Sequence, residues 1–103
     1  MQTSATEGVE TMAHASPEAL QAVLPLLRQL RDIKTLKEKQ PGIFYCRSAA
    51  FLHFHDEGGA LVADLKKASG SGFDRYPLTN PLAHRKLLDE TKLRALRADR
   101  SDD

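Results

Sequence analysis

The sequence predicts a two-layer α+β domain, in which an antiparallel meander of three to four strands is flanked by an N-terminal and a C-terminal helix. Three observations predict this fold. Apolar residues recur at spacings of three and four over residues 20–30, short β-rich runs follow over residues 43–78, and Asn80-Pro81 then signals the start of another helix. The predicted order along the chain is therefore helix, meander, helix.

Length and charge limit the class of protein. The chain has 103 residues, 28% of them charged, and a net charge of +1, which suits one small domain with no general attraction to nucleic acid or anionic lipid. No apolar run approaches the roughly 18 residues of a membrane-spanning helix, so no membrane partner is expected. The single cysteine, Cys46, excludes an internal disulfide and fits a reducing cytoplasm.

Both ends of the chain are rich in small and polar residues, which bury too little surface to offset the entropy cost of ordering. We therefore expect a disordered leader over residues 1–15, one domain over residues 16–97, and a disordered tail over residues 98–103. A folded part of roughly 80 residues has a core that supplies only about 3–5 kcal/mol. Because a second protomer would add to that stability, we expect a homo-oligomer, most simply a dimer.

The first helix is predicted to begin at Ser16-Pro17, where the serine serves as N-cap and the proline suits the first helical position. Five apolar residues line one face of this helix: Leu20, Val23, Leu24, Leu27 and Leu30. Pro25 removes one helical hydrogen bond, so we expect a kink or a restart there. Residues 31–39 are compatible with either helix or loop, and a Pro-Gly pair follows them.

The strongest strand signal is a pair of runs over residues 50–55 and 60–65, joined by a Gly-Gly turn over residues 56–59. A four-residue loop places Phe54 opposite Leu61. In this register the core face carries Leu52, Phe54, Leu61, Ala63 and Leu65, and the other face carries Phe51, His53, His55, Val62 and Asp64.

A further strand is predicted before this hairpin, over residues 43–46. Its connection over residues 47–49 is a poor tight-turn sequence, which makes this first hairpin less definite than the second. If the hairpin forms, Ile43 and Tyr45 join the core side, while Phe44 and Cys46 join the histidine side.

The C-terminal third of the chain supplies a fourth strand over residues 73–78, which Pro77 confines to a sheet edge. A helix follows, and its apolar residues fall on two sides: Leu82, Leu93 and Leu96 on one, and Leu87, Leu88 and Ala95 on another. Two explanations remain open. A second chain covers the second side, or a break near residues 89–91 lets both halves of the helix use one face.

His53 and His55 carry the main chemical signal. Two residues apart on a strand, both imidazoles project from the same face, and Asp64 joins them there in the predicted register. Two imidazoles and a carboxylate are a workable ligand set for zinc or a similar divalent metal. We therefore predict a candidate metal site at His53, His55 and Asp64, within a candidate ligand-binding face that adds Cys46. The alternative is that the histidines simply pack on a half-exposed strand.

Cys46, His53 and Asp64 are also the residue types of a nucleophile, a base and an orienting acid. In the predicted hairpin, Cys46 and His53 are about 7 Å apart, which is too far for proton transfer. The glycine pairs match no phosphate-binding motif. We therefore expect no catalytic residue, name no cofactor, and favour a binding protein over an enzyme.

Basic residues gather after the first helix and along the last one. The first group is Arg28, Arg31, Lys34, Lys37 and Lys39, and the second is Arg85, Lys86, Lys92, Arg94, Arg97 and Arg100. Interleaved acidic residues dilute both groups, which is typical of solvated helix faces. Nucleic-acid binding is a third hypothesis and is not favoured, because no base-reading or stacking motif accompanies the charge.

The segments PGIFYCRSAAFLHFH, ALVADLK and FDRYPL, with a Gly-Gly turn between the first two, resemble small bacterial proteins of uncharacterised function. The shared features are a G-apolar-Tyr strand, an FLHFH-like strand and an ADLK-like strand, over about residues 41–90. The resemblance implies no activity, and no site residue is carried over from it. Double-wing and frataxin-like folds share the helix–meander–helix order, which is an analogy of fold alone.

The sequence thus favours a small, non-catalytic interaction module that self-associates. The alternative is a metal-binding or small-ligand-binding protein that uses the face with His53, His55 and Asp64. Weak nucleic-acid binding through the basic helices comes third.

Overall fold

Within the described residues, five antiparallel strands form one sheet and three helices pack on one of its faces, which confirms the α+β class with more strands than predicted. The computed structural model describes residues 15–100, except for the side chains of residues 99 and 100. The helices are α1 (Pro17–Gln21), α2 (Leu24–Arg31) and α3 (Pro81–Arg100). The strands are β1 (Leu36–Gln40), β2 (Ile43–Cys46), β3 (Ala49–Glu57), β4 (Ala60–Lys66) and β5 (Phe73–Pro77). They pair in sequence order, from β1 to β5.

The helices begin where capping chemistry predicts. The Ser16 Oγ accepts a hydrogen bond from the Ala19 amide at 3.1 Å, and the Asn80 Oδ1 accepts one from the Ala83 amide at 2.8 Å. Pro25 lies in the first turn of α2, which is separated from α1 by a two-residue break. The predicted restart at Pro25 is confirmed.

The segment over residues 31–39, for which helix or loop was expected, instead contains most of strand β1, which pairs with β2 at the edge of the sheet. Leu36 is buried, whereas the other residues of β1 are exposed or half-buried. A charged edge strand has no alternating apolar pattern, because one side of it contacts solvent, and such charges also discourage edge-to-edge aggregation.

The core lies between the helices and one face of the β3–β4 hairpin. Leu52, Phe54, Ala63 and Leu65 are buried there, and Leu61 packs against them, which confirms the predicted core face. The register is different from the predicted one, because only Gly58 and Gly59 form the turn, with φ angles of 61° and 89°. Phe54 therefore pairs with Ala63 instead of Leu61. A shift of two residues leaves the side chains of residues 52–55 and 61–65 on their predicted faces.

The β2–β3 hairpin differs from the prediction in a way that moves side chains between faces. Phe44 pairs with Leu52 and Tyr45 pairs with Ala50, so Phe51 is an extra residue in a β-bulge. The predicted faces of this hairpin were wrong: Phe44, Cys46 and Phe51 belong to the helix-facing core, and Ile43 and Tyr45 lie with His53 on the other face. The turn itself is tight, because Arg47 and Ser48 both adopt positive φ, at 55° and 73°.

Helix α3 is continuous, so the proposed break over residues 89–91 is wrong. Leu87, Leu88, Thr91 and Ala95 are buried against the sheet and α2, whereas Leu82, Leu93 and Leu96 are exposed. The helix also continues through residues 98–100, for which a disordered tail was expected. At the other end, the Ala15 amide donates to the Phe54 carbonyl at 3.1 Å. The expectations for residues 1–14 and 101–103 lie outside the described residues.

Gly42 joins β1 to β2 under tight steric limits. Its φ is +76°, and a methyl group there would lie 3.2 Å from the Leu20 Cδ2 atom. Gly58 has a φ of +61° with no atom within 4 Å of such a methyl group, which makes it a matched control. We expect Gly42→Ala to lower the free energy of unfolding by about 2–3 kcal/mol, and Gly58→Ala by about 1 kcal/mol. Equal losses in urea denaturation would contradict the close packing of Gly42 against α1.

The side chain of Glu38 fastens β1 to α2. Its carboxylate accepts two hydrogen bonds from the Arg31 guanidinium, and the Gly42 amide donates to its Oε2 at 2.9 Å. Burial opposes the charged form of Glu38, but these hydrogen bonds and the charge of Arg31 outweigh it, so the pKa of Glu38 lies below its ordinary value. The stabilisation is therefore complete above the unfolded-state pKa and is lost as pH falls through the folded-state pKa.

We expect Glu38→Gln to lower the free energy of unfolding by about 1 kcal/mol at neutral pH. The difference from wild type should shrink as pH falls through the folded-state pKa, below which the carboxyl is protonated in both states. Asp89→Asn, at an exposed position on α3, serves as the control and should cost little at either pH. A cost for Glu38→Gln that does not change with pH would contradict the assigned role of the carboxylate charge.

Candidate metal centre

The two histidines of β3 lie on the sheet face opposite the helices. His53 pairs with Asp64 on β4 and with Ile43 on β2, while His55 pairs with Val62. Asp64, Ile43 and Val62 do not belong to the helix-facing core cluster, so they and the histidines lie on the other face of the sheet. His53 is half-buried there, and His55 is buried. Because β-strand side chains alternate, both imidazoles project from the same face, as the i, i+2 spacing predicts.

Asp64 completes a group of three potential metal ligands. Its Oδ2 lies 2.8 Å from the His55 Nε2, diagonally across the β3–β4 hairpin. One ligand atom from each of His53, His55 and Asp64 lies within 4.8 Å of the other two. The structure therefore brings these three predicted residues together on two adjacent, hydrogen-bonded strands.

Glu57 and Arg75 surround this group and hold its orientation. The Glu57 Oε2 lies 3.9 Å from the His55 Nδ1, on the side of the ring opposite Asp64. Arg75 donates from Nη1 to the Glu57 Oε1 at 2.8 Å, and its Nε lies 3.5 Å from the Asp64 Oδ1. The arginine thereby links the two carboxylates that flank the His55 imidazole. Carboxylates in such positions fix the tautomer and the orientation of a ligating histidine.

The His53 imidazole is partly covered by an aromatic ring from β5. The Phe73 ring centroid lies 5.1 Å from that of His53 at an interplanar angle of 62°, an edge-on contact. The two imidazole centroids are 5.8 Å apart. Phe73 thus limits solvent access to one side of His53 while remaining 39% exposed itself.

Sequence analysis did not assign Arg75 and Phe73 to this site. Both residues belong to β5, where Arg75 pairs with Asp64 and Phe73 pairs with Lys66. The signal was present in the alternation of FDRYP, which places positions 73 and 75 on one face. This alternation alone does not show which β4 residues lie opposite Phe73 and Arg75. That depends on the β4–β5 register, which no short turn motif fixes.

Cys46 does not belong to the candidate site, contrary to the prediction. Its side chain is buried in the core cluster on the helix side of the sheet, away from His53 and Asp64. The cause is the β-bulge at Phe51, because the prediction assumed unbroken alternation through both strands. The nucleophile–base arrangement of Cys46 with His53 is likewise excluded by this separation of faces.

The three side chains offer two imidazole nitrogens and one carboxylate oxygen, a ligand set typical of zinc. Tetrahedral coordination with bonds of about 2.0 Å needs ligand atoms about 3.3 Å apart. Binding would therefore widen the 2.8 Å contact between His55 and Asp64 and draw the more distant pairs together. Such adjustments are within the reach of side-chain rotations on a fixed backbone.

Comparison with known proteins found no match. No family model, no curated protein and no solved structure matches the chain. Among residues 15–100, no helix combines the length and the apolar character needed to cross a membrane.

Proposed function

We propose that this protein binds a divalent transition metal ion, with zinc as the best fit, through His53, His55 and Asp64. The observation that carries the proposal is the approach of three ligand atoms to within 4.8 Å on two paired strands. Borderline metals prefer imidazole nitrogen together with carboxylate oxygen. Three protein ligands leave a fourth position for water or for a ligand from a partner.

The surroundings of the three residues support metal binding over simple packing. The 2.8 Å contact between the His55 Nε2 and the Asp64 Oδ2 is a hydrogen bond in which Nε2 donates, so a metal ion would take the place of that proton, and Glu57 lies beside Nδ1 on the other side of the ring. Arg75 contacts the Oδ1 of Asp64, so the Oδ2 remains the oxygen that faces the imidazole. His55 and Asp64 therefore have charged neighbours behind them, and their ligand atoms face each other.

Calorimetric titration of the untagged protein with zinc chloride tests this proposal. We expect one ion per chain and a loss of affinity of about 100-fold or more in His53→Ala, His55→Ala and Asp64→Asn, since even an outer-shell partner is worth about 10- to 100-fold. Acidification should weaken binding, because protons compete for the imidazole nitrogens. His84→Ala, which changes a histidine on α3, is the matched control and should bind like wild type.

Two results would contradict the metal proposal. The first is wild-type protein that takes up no zinc in the titration. The second is a double variant, His53→Ala with His55→Ala, that retains the wild-type stoichiometry and affinity while circular dichroism shows an intact fold.

We further propose that the chain self-associates through α3. Leu82, Leu93 and Leu96 are 70%, 43% and 49% exposed, and their spacing of eleven and three residues places them on one side of the helix. We call these three residues the leucine stripe. Because α3 is continuous, only one of its sides can face the sheet, and Leu87, Thr91 and Ala95 are buried on that side. The leucine stripe therefore lies on the side of the helix that faces away from the sheet. A second copy presents the same stripe, so a two-fold arrangement covers both.

Sedimentation equilibrium at micromolar to millimolar concentration tests self-association. We expect a mass above 11.4 kDa that rises with concentration. Replacement of all three stripe leucines by glutamine should return the monomer mass and weaken association by about tenfold or more, since each leucine buries apolar surface. Phe73→Gln, at an exposed aromatic on β5, is the control and should leave association unchanged. A wild-type mass of 11.4 kDa at every concentration would contradict this role of the stripe.

The basic helices give less support to nucleic-acid binding. Arg31 is held by Glu38, and Arg94 is held by Glu90 and Asp74, so these two guanidiniums are already neutralised by carboxylates. We therefore do not propose it. The buried position of the single cysteine is compatible with the reducing cytoplasm, which we propose as the location.

A further inference from the structure

Arg75 closes a ring of charged side chains around the His55 imidazole. The Asp64 Oδ2 lies 2.8 Å from the Nε2 of that imidazole, and the Glu57 Oε2 lies 3.9 Å from its Nδ1. Arg75 contacts both carboxylates, with its Nη1 2.8 Å from the Glu57 Oε1 and its Nε 3.5 Å from the Asp64 Oδ1. One guanidinium is thus shared between the two acids that flank a candidate metal ligand.

Strand alternation brings these four side chains to the same face of the sheet. His55 and Glu57 are two residues apart on β3, so their side chains project in the same direction. Asp64 pairs with His53 on one side and with Arg75 on the other. The ring therefore follows from the register of three adjacent strands, and it lies on the face opposite the helices.

Glu57 fixes the guanidinium from the side away from Asp64. Its hydrogen bond from the Arg75 Nη1 joins two ionised groups, which makes it stronger than a neutral one. A guanidinium is planar and rigid, so a bond at Nη1 also sets the position of Nε beside Asp64. Among the described residues, Arg75 is the only lysine or arginine in ion-pair contact with Glu57 or Asp64.

The two carboxylate oxygens of Asp64 consequently have different surroundings. Oδ2 faces the His55 Nε2, where a metal ion would take the place of the proton, whereas Oδ1 faces the Arg75 Nε. The Asp64 side chain is only 17% exposed, which limits the contribution of water to its surroundings. A metal ion that bound both oxygens would have to compete with the guanidinium for Oδ1. The arrangement therefore favours coordination through Oδ2 alone.

The number of carboxylate oxygens that bind the ion affects some metals more than others. Zinc in protein sites is commonly tetrahedral, so one oxygen beside two imidazoles and one further ligand is sufficient. Manganese prefers octahedral surroundings that are richer in oxygen, and it therefore gains from a carboxylate that supplies both oxygens. A cation that holds Oδ1 consequently opposes manganese binding more than zinc binding.

We propose that Arg75 determines the metal specificity of the site, because it restricts Asp64 to one coordinating oxygen and so favours four-coordinate zinc over six-coordinate manganese. The proposal rests on the metal centre at His53, His55 and Asp64 described under Proposed function. Arg75 is not itself a ligand. It is a positioning residue, which acts on the metal ion through Asp64.

Separate titrations of the full chain with zinc chloride and manganese chloride test this role of Arg75. We expect Arg75→Ala to reduce the ratio of zinc affinity to manganese affinity by about tenfold, which is the size of effect that an outer-shell partner has on metal binding. The lost positive charge acts alike on both divalent ions, so it changes both affinities and leaves their ratio unchanged. A merely structural role would likewise weaken the binding of both ions together.

Arg85→Ala is the matched control, because it removes the same charge from an exposed position on α3 and should retain the wild-type ratio. An unchanged ratio in Arg75→Ala, with a circular dichroism spectrum that shows an intact fold, would overturn the role of Arg75 and leave the zinc centre in place. Wild-type protein that binds neither ion would overturn the metal centre and this role together. The two failures are therefore distinguishable.

Discussion

The rest of the structure depends on the two-glycine turn between β3 and β4. Gly58 and Gly59 both adopt positive φ, a conformation that glycine reaches without steric cost and that matches the twist of the flanking strands. This turn fixes His53 opposite Asp64. The same register places Phe54 and Ala63 under the helices. One local constraint thus sets both the core and the candidate metal centre, since a slip of one residue would exchange the two faces.

A second constraint, the β-bulge at Phe51, divides the chemistry of the protein between the two faces. Before the bulge, Cys46 faces the helices; beyond it, His53 faces the opposite side. The extra residue is stabilised because its aromatic ring gains a buried position beside α3. The bulge therefore places Phe51 in the core and separates the cysteine from the histidines.

Features that rest on local chemistry could be predicted from the sequence. Ser16 and Asn80 each accept a hydrogen bond from the helix amide three positions on, and a proline is tolerated in the first turn of a helix but not in its interior, so no distant residue had to be known. The faces predicted for residues 52–55 of β3 and 61–65 of β4 are also confirmed, because a two-residue turn and a four-residue turn place the same side chains on the same face of the hairpin. The meeting of His53, His55 and Asp64 followed from that parity.

Features that rest on distant packing could not be predicted. The bulge at Phe51 depends on space beneath α3, and Arg75 reaches Asp64 only through the register of β5, which follows a flexible connection. Strand β1 was missed because Lys37 and Lys39 contact solvent at a sheet edge and leave no apolar alternation. The continuity of α3 could not be predicted either, since its second set of leucines stays 43–70% exposed instead of packing on the sheet.

We propose that strand register alone assembles a metal site on the open face of the sheet. Anomalous diffraction at the zinc absorption edge, from crystals of the zinc-loaded protein, tests it most directly. A single strong peak bonded to the imidazoles of His53 and His55 and to the Asp64 carboxylate, at about 2.0–2.2 Å, is the predicted result. A fully loaded crystal whose zinc lies elsewhere, with the His55–Asp64 hydrogen bond still intact, would contradict the account.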